Sequence, residues 1–249
     1  DGQALEAVKA IAGCPNLLLT GVHTHIGSQI FEIDPFECAA EVMIGFMAAV
    51  RDETGLILTE LNLGGGFGIK YVPENDPVPY QDYMEKVSGM VHTTCRKYGL
   101  ETPFIAIEPG RSVVGSAGIT LYTVGGVKVI PNIRTYVSVD GGMTDNPRYI
   151  LYQSQYEAVL ANRAADPKDS VITLAGRCCE SGDLVGEGMP IQSPKVNDII
   201  AVLATGAYNY SMASNYNRVP RPAAVMVRDG QAREIIRRES MEDLVRNDL

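Results

Sequence analysis

The stretch LTELNLGGGFG, residues 58–68, decides how the first part of the chain folds. Apolar positions lead into three consecutive glycines, a pattern typical of a strand that ends in a tight loop. Two further stretches have the same form: GVHTHIGSQI begins at Gly21, and FIAIEPGR begins at Phe104. The stretch that begins at Phe104 reads as a buried strand. The chain therefore has three predicted strands, and each runs into a loop of glycine and polar residues.

Helical segments alternate with these strands. Residues 3–12 read as the end of a helix, and residues 35–53 and 80–98 carry apolar side chains at helical spacing. Asp34 is predicted to cap the second of these helices, with Glu37 completing a capping box. Strands that alternate with helices at this spacing predict a parallel sheet, so the first part of the chain is predicted to be α/β.

After about residue 113 the pattern changes, because apolar strands now follow one another with Gly, Pro, Asn and Asp turns between them. Within the last of them, RDGQ at residues 228–231 is a hairpin signal. The chain closes with a short helix that Ser240 is predicted to cap. We therefore expect two domains, an α/β domain over residues 1–113 and a mostly β domain over residues 114–249.

The composition excludes several classes of function. The net charge of −9 leaves no basic stripe that could bind a nucleic acid. No apolar run approaches the roughly 18 residues that a membrane span requires. The five cysteines are odd in number and lack the spacing of a metal site, so we expect reduced thiols, a cytoplasmic location and no bound metal.

The three strand ends carry the residues of chemical interest: His25–Ser28, Gly64–Gly66 and Glu108–Arg111. In a parallel α/β barrel the carboxyl ends of the strands face one site, so these loops would converge. Glycine amides bind a phosphate without added charge, and Arg111 and Ser28 would add a cation and a hydroxyl.

Glu108 would then need a cationic partner, such as a protonated ring nitrogen. Each feature also has a simpler explanation. His25 could be a structural histidine, and the glycine triplet could be only a tight turn.

Two motifs of the β part add further candidates. AGRCCESGD contains Cys179 and Glu180, which would line a pocket together if they lay on a turn. DGGMTDNPRYILY contains Arg148 and Tyr152, and an arginine suits bidentate binding of a carboxylate. The alternatives are a small buried cysteine, a solvated glutamate and an arginine in a surface ion pair.

Six motifs in order carry a resemblance to a known family: HTHIGSQ, LNLGGGFG, EPGRSVVGSAG, VDGGMTDNPRYILY, CESGD and GAYNYSMASNYN. Together they resemble the meso-diaminopimelate decarboxylases, fold-type III pyridoxal-phosphate enzymes related to ornithine and arginine decarboxylases. The resemblance covers nearly the whole chain. It implies the C-terminal part of a (β/α)8 barrel of the TIM type, followed by a mostly β C-terminal domain.

The resemblance also implies the roles of individual residues. His25 matches a histidine that stacks on the cofactor ring, and Glu108 matches the carboxylate that pairs with the pyridine nitrogen. The residues that match contacts to the cofactor, pyridoxal 5'-phosphate, are His25, Ser28, Gly64, Gly65, Gly66, Glu108, Gly110, Arg111 and Tyr208.

The reaction implied is decarboxylation of meso-2,6-diaminopimelate to L-lysine and CO2, in lysine biosynthesis. Cys179 matches a thiol that supplies a proton, and Glu180 matches a carboxylate that reads the distal end of the substrate. Both reach a neighbouring subunit's site in the family, so a homodimer with shared sites is expected. The residues that match substrate contacts are Arg111, Arg148, Tyr152, Glu180 and Tyr208, and those that match catalytic positions are Cys179, His25 and Glu108.

The chain departs from the family in two places. The Tyr-Ala-x-Lys-Ala-Asn pattern of the Schiff-base lysine does not occur in it. We therefore expect a C-terminal fragment, with roughly the last three of eight barrel strands, that decarboxylates nothing by itself. Tyr149 follows Arg148 where the family resembles proline, which loosens the backbone there.

Two other functions compete with this interpretation. One is a decarboxylase of another basic amino acid on the same fold, because ornithine decarboxylases resemble CDS where this chain has CES. Glu180, together with Arg148, favours diaminopimelate. The other is a non-catalytic homologue that binds a partner. Cys179, Glu108 and His25 argue against it, because a pure binder needs no proton donor, ring clamp or pyridinium partner.

Overall fold

A computed structural model describes residues 2–249. The chain divides into two compact units, and it passes from one unit to the other three times. The first unit comprises the residues up to Ile69 together with Asp76–Val113. The second comprises Lys70–Asn75 together with Val114–Leu249. Each unit has its own sheet, and each is described separately below.

The first unit is built on a three-stranded parallel sheet in the order β1-β2-β3. In this register His23 lies beside Asn62, which in turn lies beside Ala106. The strands alternate with helices, as the sequence predicted. The elements in chain order are α1 (Gln3–Ala12), β1 (Gly21–His23), α2 (Asp34–Thr54), β2 (Glu60–Asn62), α3 (Tyr80–Tyr98), β3 (Phe104–Ala106) and the short α4 (Arg111–Val114).

One face of this sheet packs against the long helices α2 and α3. Val22, Leu61 and Ile105 occupy equivalent positions on the three strands and belong to one apolar cluster with residues of both helices. Side chains alternate between the faces of a strand, so Phe104 points the other way and is 71% exposed. The prediction of a buried strand at Phe104 is therefore wrong, because Phe104 is exposed and Ile105 and Ala106 are only partly buried.

Helix α2 starts differently from the prediction. Ile33 is its N-cap, and no side chain caps it. Asp34 already lies inside the first turn, so its carboxylate does not take the capping position, and the predicted capping box with Glu37 is wrong. Both acids still lie at the positive end of the helix dipole, which favours them there. Helices α1 and α3 have the predicted limits.

The second unit is mostly β, and its six-stranded sheet has the order β6-β9-β4-β5-β7-β8. Only β5 and β7 pair in parallel; the other neighbours are antiparallel. Two of the strands, β6 and β8, were not recognised in the sequence. The elements are β4 (Thr120–Ile130), β5 (Arg134–Val139), α5 (Arg148–Tyr152), β6 (Ala158–Leu160), β7 (Ser170–Ala175), β8 (Leu184–Ile191), β9 (Ile199–Val202), β10 (Ala224–Arg228), β11 (Gln231–Ile236) and α6 (Met241–Val245).

The two edge strands of this sheet, β6 and β8, meet through a buried side chain. Gln192 follows β8 and is 1% exposed, and its Oε1 accepts a hydrogen bond of 3.0 Å from the backbone N–H of Leu160 on β6. Its Nε2 donates to the carbonyls of Ala164 and Asp166. The sheet is thus nearly closed. The N–H of Leu160 on β6, which an open edge would leave without a partner, is satisfied by Gln192.

Two local predictions for the end of the chain are confirmed. Strands β10 and β11 form an antiparallel hairpin in which Asp229 and Gly230 both have positive φ, at 52° and 72°. Ser240 caps α6 and forms a capping box with Asp243. An α/β unit followed by a mostly β unit is the fold class that the sequence predicted. No helix among residues 2–249 is long and apolar enough to cross a membrane.

One buried carboxylate of the second unit predicts a pH dependence of folding. Asp198 is 8% exposed and accepts hydrogen bonds from Asn162, from Arg163 and from the N–H of Lys195. These contacts, the one from Asn162 first, lower its pKa from 3.8 to about 2. A carboxylate with a lowered folded-state pKa stabilises the protein above its unfolded value, and this contribution is lost as the pH falls through the folded value.

The variant Asp198→Asn should therefore be less stable than the original at pH 6, and the difference should shrink as the pH falls from about 4 to about 2. Denaturant midpoints measured across this range test the expectation. Asp229→Asn is the matched control, because Asp229 has an 88% exposed side chain in the hairpin turn. Equal pH profiles for the two variants would contradict the assignment.

Candidate active site

The three strand ends of the first unit converge on the glycine triplet, because the absence of side chains lets backbone approach backbone. A Cβ on Gly65 would lie 2.2 Å from the carbonyl oxygen of Glu108. A Cβ on Gly64 would lie 2.5 Å from the carbonyl oxygen of Thr24, and one on Gly66 2.4 Å from that of Gly27. Gly64 and Gly66 also have positive φ, at 69° and 105°. The loop after β2 therefore lies in direct contact with the loops after β1 and β3.

An aromatic contact holds the triplet to the helices. Phe67 follows it directly, is 5% exposed, and stacks on Phe36 of α2 with ring centroids 5.1 Å apart. Tyr83 of α3 meets the same ring edge-on, and its hydroxyl donates to the carbonyl of Ile30. The loops that follow β1 and β2 are thereby fixed to the core of the unit.

The amides of the triplet are less available than the sequence predicted. The N–H of Gly64 donates to Oδ1 of Asn62 at 2.8 Å, and the N–H of Gly65 donates to Nδ1 of His25 at 3.2 Å. Only the N–H of Gly66 lacks an acceptor within residues 2–249. The expectation that all three amides face a phosphate needs correction, because two of them already orient side chains of the site.

Glu108 lies at the end of β3 between side chains of the two other strands. Its Oε1 accepts a hydrogen bond of 2.8 Å from Nδ2 of Asn62, and its Oε2 lies 3.6 Å from Nε2 of His23. Asn62 was not among the site residues expected from the sequence. The signal was available in part: alternation places His23, Asn62 and Glu108 on one face of the sheet once the register is known.

Arg111 and Ser28, the cation and the hydroxyl predicted beside a phosphate, do meet. The guanidinium Nη2 of Arg111 donates to Oγ of Ser28 at 2.8 Å. Arg111 is also the first residue of α4, directly after Gly110. The first unit therefore presents a cation, a hydroxyl and one amide without a protein acceptor at its strand ends, which suits an anion.

The second unit encloses Arg148 among aromatic rings. Arg148 is 7% exposed, so the alternative of a surface ion pair is wrong. Its Nε donates to the hydroxyl of Tyr156 at 3.0 Å, and its Nη2 donates to Ser154 at 3.1 Å. Its guanidinium also lies within 6 Å of three tyrosine ring centroids, those of Tyr71 (5.9 Å), Tyr152 (5.6 Å) and Tyr208 (5.7 Å).

No carboxylate within residues 2–249 forms an ion pair with Arg148. A cation buried without an anion is costly, and contact with aromatic faces offsets only part of that cost. The second unit thus brings Arg148, Tyr152 and Tyr208 together. A bound carboxylate would neutralise the buried positive charge of Arg148.

The segment CCESGD forms a turn that a buried aspartate holds. Asp183 is 3% exposed and accepts hydrogen bonds of 2.6 Å from the N–H groups of Met143 and Cys178. The side chains of Cys179 and Glu180 are exposed on this turn. The alternative of a small buried cysteine is therefore wrong for Cys179. The oxygens of Glu180 accept hydrogen bonds from Ser181, from the N–H of Gly182 and, at 3.5 Å, from Tyr216.

Metal coordination has no candidate centre in the described part of the chain. Residues 2–249 contain no group of three or more His, Cys, Asp or Glu side chains that could hold a metal ion.

Three comparisons show which known proteins the chain resembles. Residues 1–115 match the family described as pyridoxal-dependent decarboxylase, pyridoxal binding domain. The chain is 47% identical over 249 residues to the diaminopimelate decarboxylase of Bacillus subtilis, and 49% identical over 249 residues to that of Synechocystis. These matches cover 100% of this chain but only 57% and 53% of the relatives.

A solved structure of the same kind of enzyme is also similar to this chain. The diaminopimelate decarboxylase from M. jannaschii, in complex with L-lysine, superposes with a TM-score of 0.90 at 31% identity, over 100% of this chain and 56% of that one. Residues 1–115 are thus similar to the pyridoxal-binding domain of the pyridoxal-dependent decarboxylases. The whole chain is similar in sequence and fold to diaminopimelate decarboxylases, and it spans little more than half of their length.

The close backbone contact at Gly65 predicts a large effect of a single methyl group. Gly65→Ala should lower the denaturation midpoint, because its Cβ would overlap the carbonyl oxygen of Glu108 and force the two loops apart. Gly89→Ala is the matched control. Gly89 lies inside α3 with no atom within 4 Å of the added Cβ, so alanine should stabilise the helix by about 1 kcal/mol. Opposite signs are expected; stabilisation by both variants would contradict the contact.

The adjacent thiols predict an order of alkylation. The pKa of Cys178 is raised, first by burial and then by the negative charge of Asp183. Since the thiolate is the nucleophile, Cys178 should react slowly with iodoacetamide at pH 8, and the exposed Cys179 should react first. Fragmentation of the labelled peptide in a mass spectrometer separates the two sites. Buried Cys95 provides the unreactive control, and equal labelling of Cys178 and Cys179 would contradict the geometry.

Proposed function

We propose that the intact protein decarboxylates meso-2,6-diaminopimelate to L-lysine and CO2 with pyridoxal 5'-phosphate as cofactor. The observation that carries the proposal is the position of the Glu108 carboxylate. Asn62 and His23 flank it, and it lies at the same strand ends as the glycine triplet and the Arg111–Ser28 pair. An anion site beside an oriented carboxylate suits a phosphorylated cofactor with a basic ring nitrogen.

The finer architecture is part of the proposal. Residues 1–113 would be the C-terminal portion of a cofactor-binding (β/α)8 barrel, and residues 114–249 a β-rich decarboxylase domain. The parallel strands of the first unit, with functional residues at their carboxyl ends and helices on one face, support the barrel. A cytoplasmic location stays a prediction from the cysteine content.

Residues of the first unit would hold the cofactor by its two ends. Arg111, Ser28, Gly110 and the free N–H of Gly66 suit the phosphate, and Gly64 and Gly65 brace Asn62 and His25 beside it. His25 would stack on the ring. Bound pyridoxal phosphate supplies an electron sink for the charge left at Cα when CO2 departs.

Glu108 would keep the ring nitrogen protonated, because a carboxylate stabilises the positive charge that this proton brings.

Residues of the second unit would bind the substrate. Arg148, buried without an anion, suits a carboxylate, and the rings of Tyr152 and Tyr208 border its guanidinium. The distal end of diaminopimelate carries an ammonium group and a carboxylate, so recognition needs an anion as well as a cation. Glu180 would supply that anion, and Arg111 is a further candidate for binding a substrate carboxylate.

The exposed turn would serve a neighbouring subunit in a homodimer. Cys179 would donate a proton to Cα after CO2 leaves, and Glu180 would read the distal ammonium from the same turn. Asp183 supports this role, because its hydrogen bonds fix the turn that presents both side chains.

Replacement of Arg148 in the intact protein tests the proposal. Arg148→Lys should lower kcat/KM for diaminopimelate by roughly tenfold to hundredfold, because an ammonium group cannot donate to Tyr156, Ser154 and a carboxylate in one plane. Arg228→Lys, at an 88% exposed side chain, should leave kcat/KM unchanged. Release of CO2 gives the rates.

The same assay distinguishes the competing functions. Diaminopimelate, ornithine and arginine are offered separately to the unmodified intact protein. Turnover of ornithine or arginine without diaminopimelate would show another decarboxylase of this fold. No turnover of any substrate, with no binding of pyridoxal phosphate, would favour a non-catalytic homologue.

A further inference from the structure

We propose that Asn62 is the positioning residue for Glu108, and that it thereby controls how fully the cofactor ring nitrogen is protonated. The inference rests on the proposed function, since it concerns the same site. It adds a residue to which neither the motifs nor the family resemblance gave a role.

The side-chain amide of Asn62 has a single consistent orientation. The backbone N–H of Gly64 can only donate, so the oxygen of the amide must face it, and the two atoms lie 2.8 Å apart. The NH2 group must then face Glu108, where it lies 2.8 Å from Oε1. A carboxylate can accept this bond, so both contacts are satisfied without rotation of the amide.

Asn62 therefore connects two functional parts of the site. It lies at the end of the central strand β2, and one planar group ties the first glycine of the triplet to the carboxylate that follows β3. Any displacement of Glu108 would have to break this bond or move Gly64. The backbone adds a second restraint, since the N–H of Glu108 donates to the carbonyl of Gly64 at 2.7 Å.

Other neighbours hold the carboxylate less firmly. His23 lies 3.6 Å from Oε2, which is beyond hydrogen-bond distance, so it acts only through its charge when protonated. The side chain of Glu108 is 56% exposed and lies beyond the end of β3. Without Asn62, the rotamers of Glu108 would be restricted by its backbone alone, and the carboxylate would spend less time facing a ring nitrogen.

The experiment uses the intact protein loaded with pyridoxal phosphate that carries 15N in the ring. The 15N chemical shift reports protonation of the ring nitrogen directly and needs no turnover. Asn62→Leu keeps the approximate volume but removes the donor, so the shift should move toward the unprotonated value. In parallel, kcat should fall by about tenfold to hundredfold, with KM changed by less than about twofold.

Two further variants separate positioning from a general structural defect. Ser28→Ala removes a proposed phosphate contact, so it should weaken cofactor binding and leave the 15N shift unchanged. Glu108→Gln should remove ring protonation, and adding Asn62→Leu to it should cause no further change, because both act through one group. If Asn62→Leu does not fold, Asn62→Ala carries the same expectation, since it only removes atoms.

The outcomes distinguish this inference from the proposed function. A wild-type 15N shift in the Asn62 variants, with the Glu108→Gln shift displaced, would overturn the role of Asn62 and leave the proposed function standing. Independent effects of Asn62→Leu and Glu108→Gln on the shift would also overturn it. An unmodified protein that fails to bind pyridoxal phosphate would overturn both. Each variant is compared with the unmodified protein at the same pH.

Discussion

The close approach of backbone to backbone at Gly65 is the constraint on which the rest of the candidate site depends. A carbonyl oxygen 2.2 Å from where a Cβ would lie leaves no room for any side chain. Because glycine has no side chain, the loop after β2 can contact the loops on both sides. The contacts between Asn62 and Glu108, and between Arg111 and Ser28, require this convergence, since each pair comes from two different strand ends.

The glycine triplet therefore differs from a phosphate-binding loop, because most of its amides donate to side chains of the protein. Two of its amides donate to side chains, those of Asn62 and His25, and within residues 2–249 only the N–H of Gly66 has no acceptor. Arg111, hydrogen-bonded to Ser28, brings a positive charge to the same strand ends. Glycine here contributes chiefly by the side chain it lacks, and the functional groups are held by one another in a connected set of hydrogen bonds.

The second unit contains two buried charges, Arg148 and Asp183, that are compensated in different ways. Its sheet is nearly closed, because the side chain of Gln192 after β8 bonds to the N–H of Leu160 on β6 and to two carbonyls beyond β6. This sheet supports the loops that carry Arg148 and Asp183. Arg148 is buried among tyrosine rings, and no carboxylate of the described residues 2–249 pairs with it. Asp183 is likewise buried, but backbone amides compensate its charge. The charge of Asp183 is thus compensated within the protein, whereas that of Arg148 is offset only in part by the aromatic rings.

Periodicity and turn chemistry were enough to identify α1, α3, the β10–β11 hairpin and the cap at Ser240, because each depends on neighbours a few residues away along the chain. The order of motifs was enough to indicate the family. Only the tertiary structure decided the start of α2, the strands β6 and β8, the exposure of Phe104 and the contacts of Asn62. Each of these depends on which residues lie opposite one another in a sheet or core, and that register is set by contacts between distant segments that no local pattern encodes.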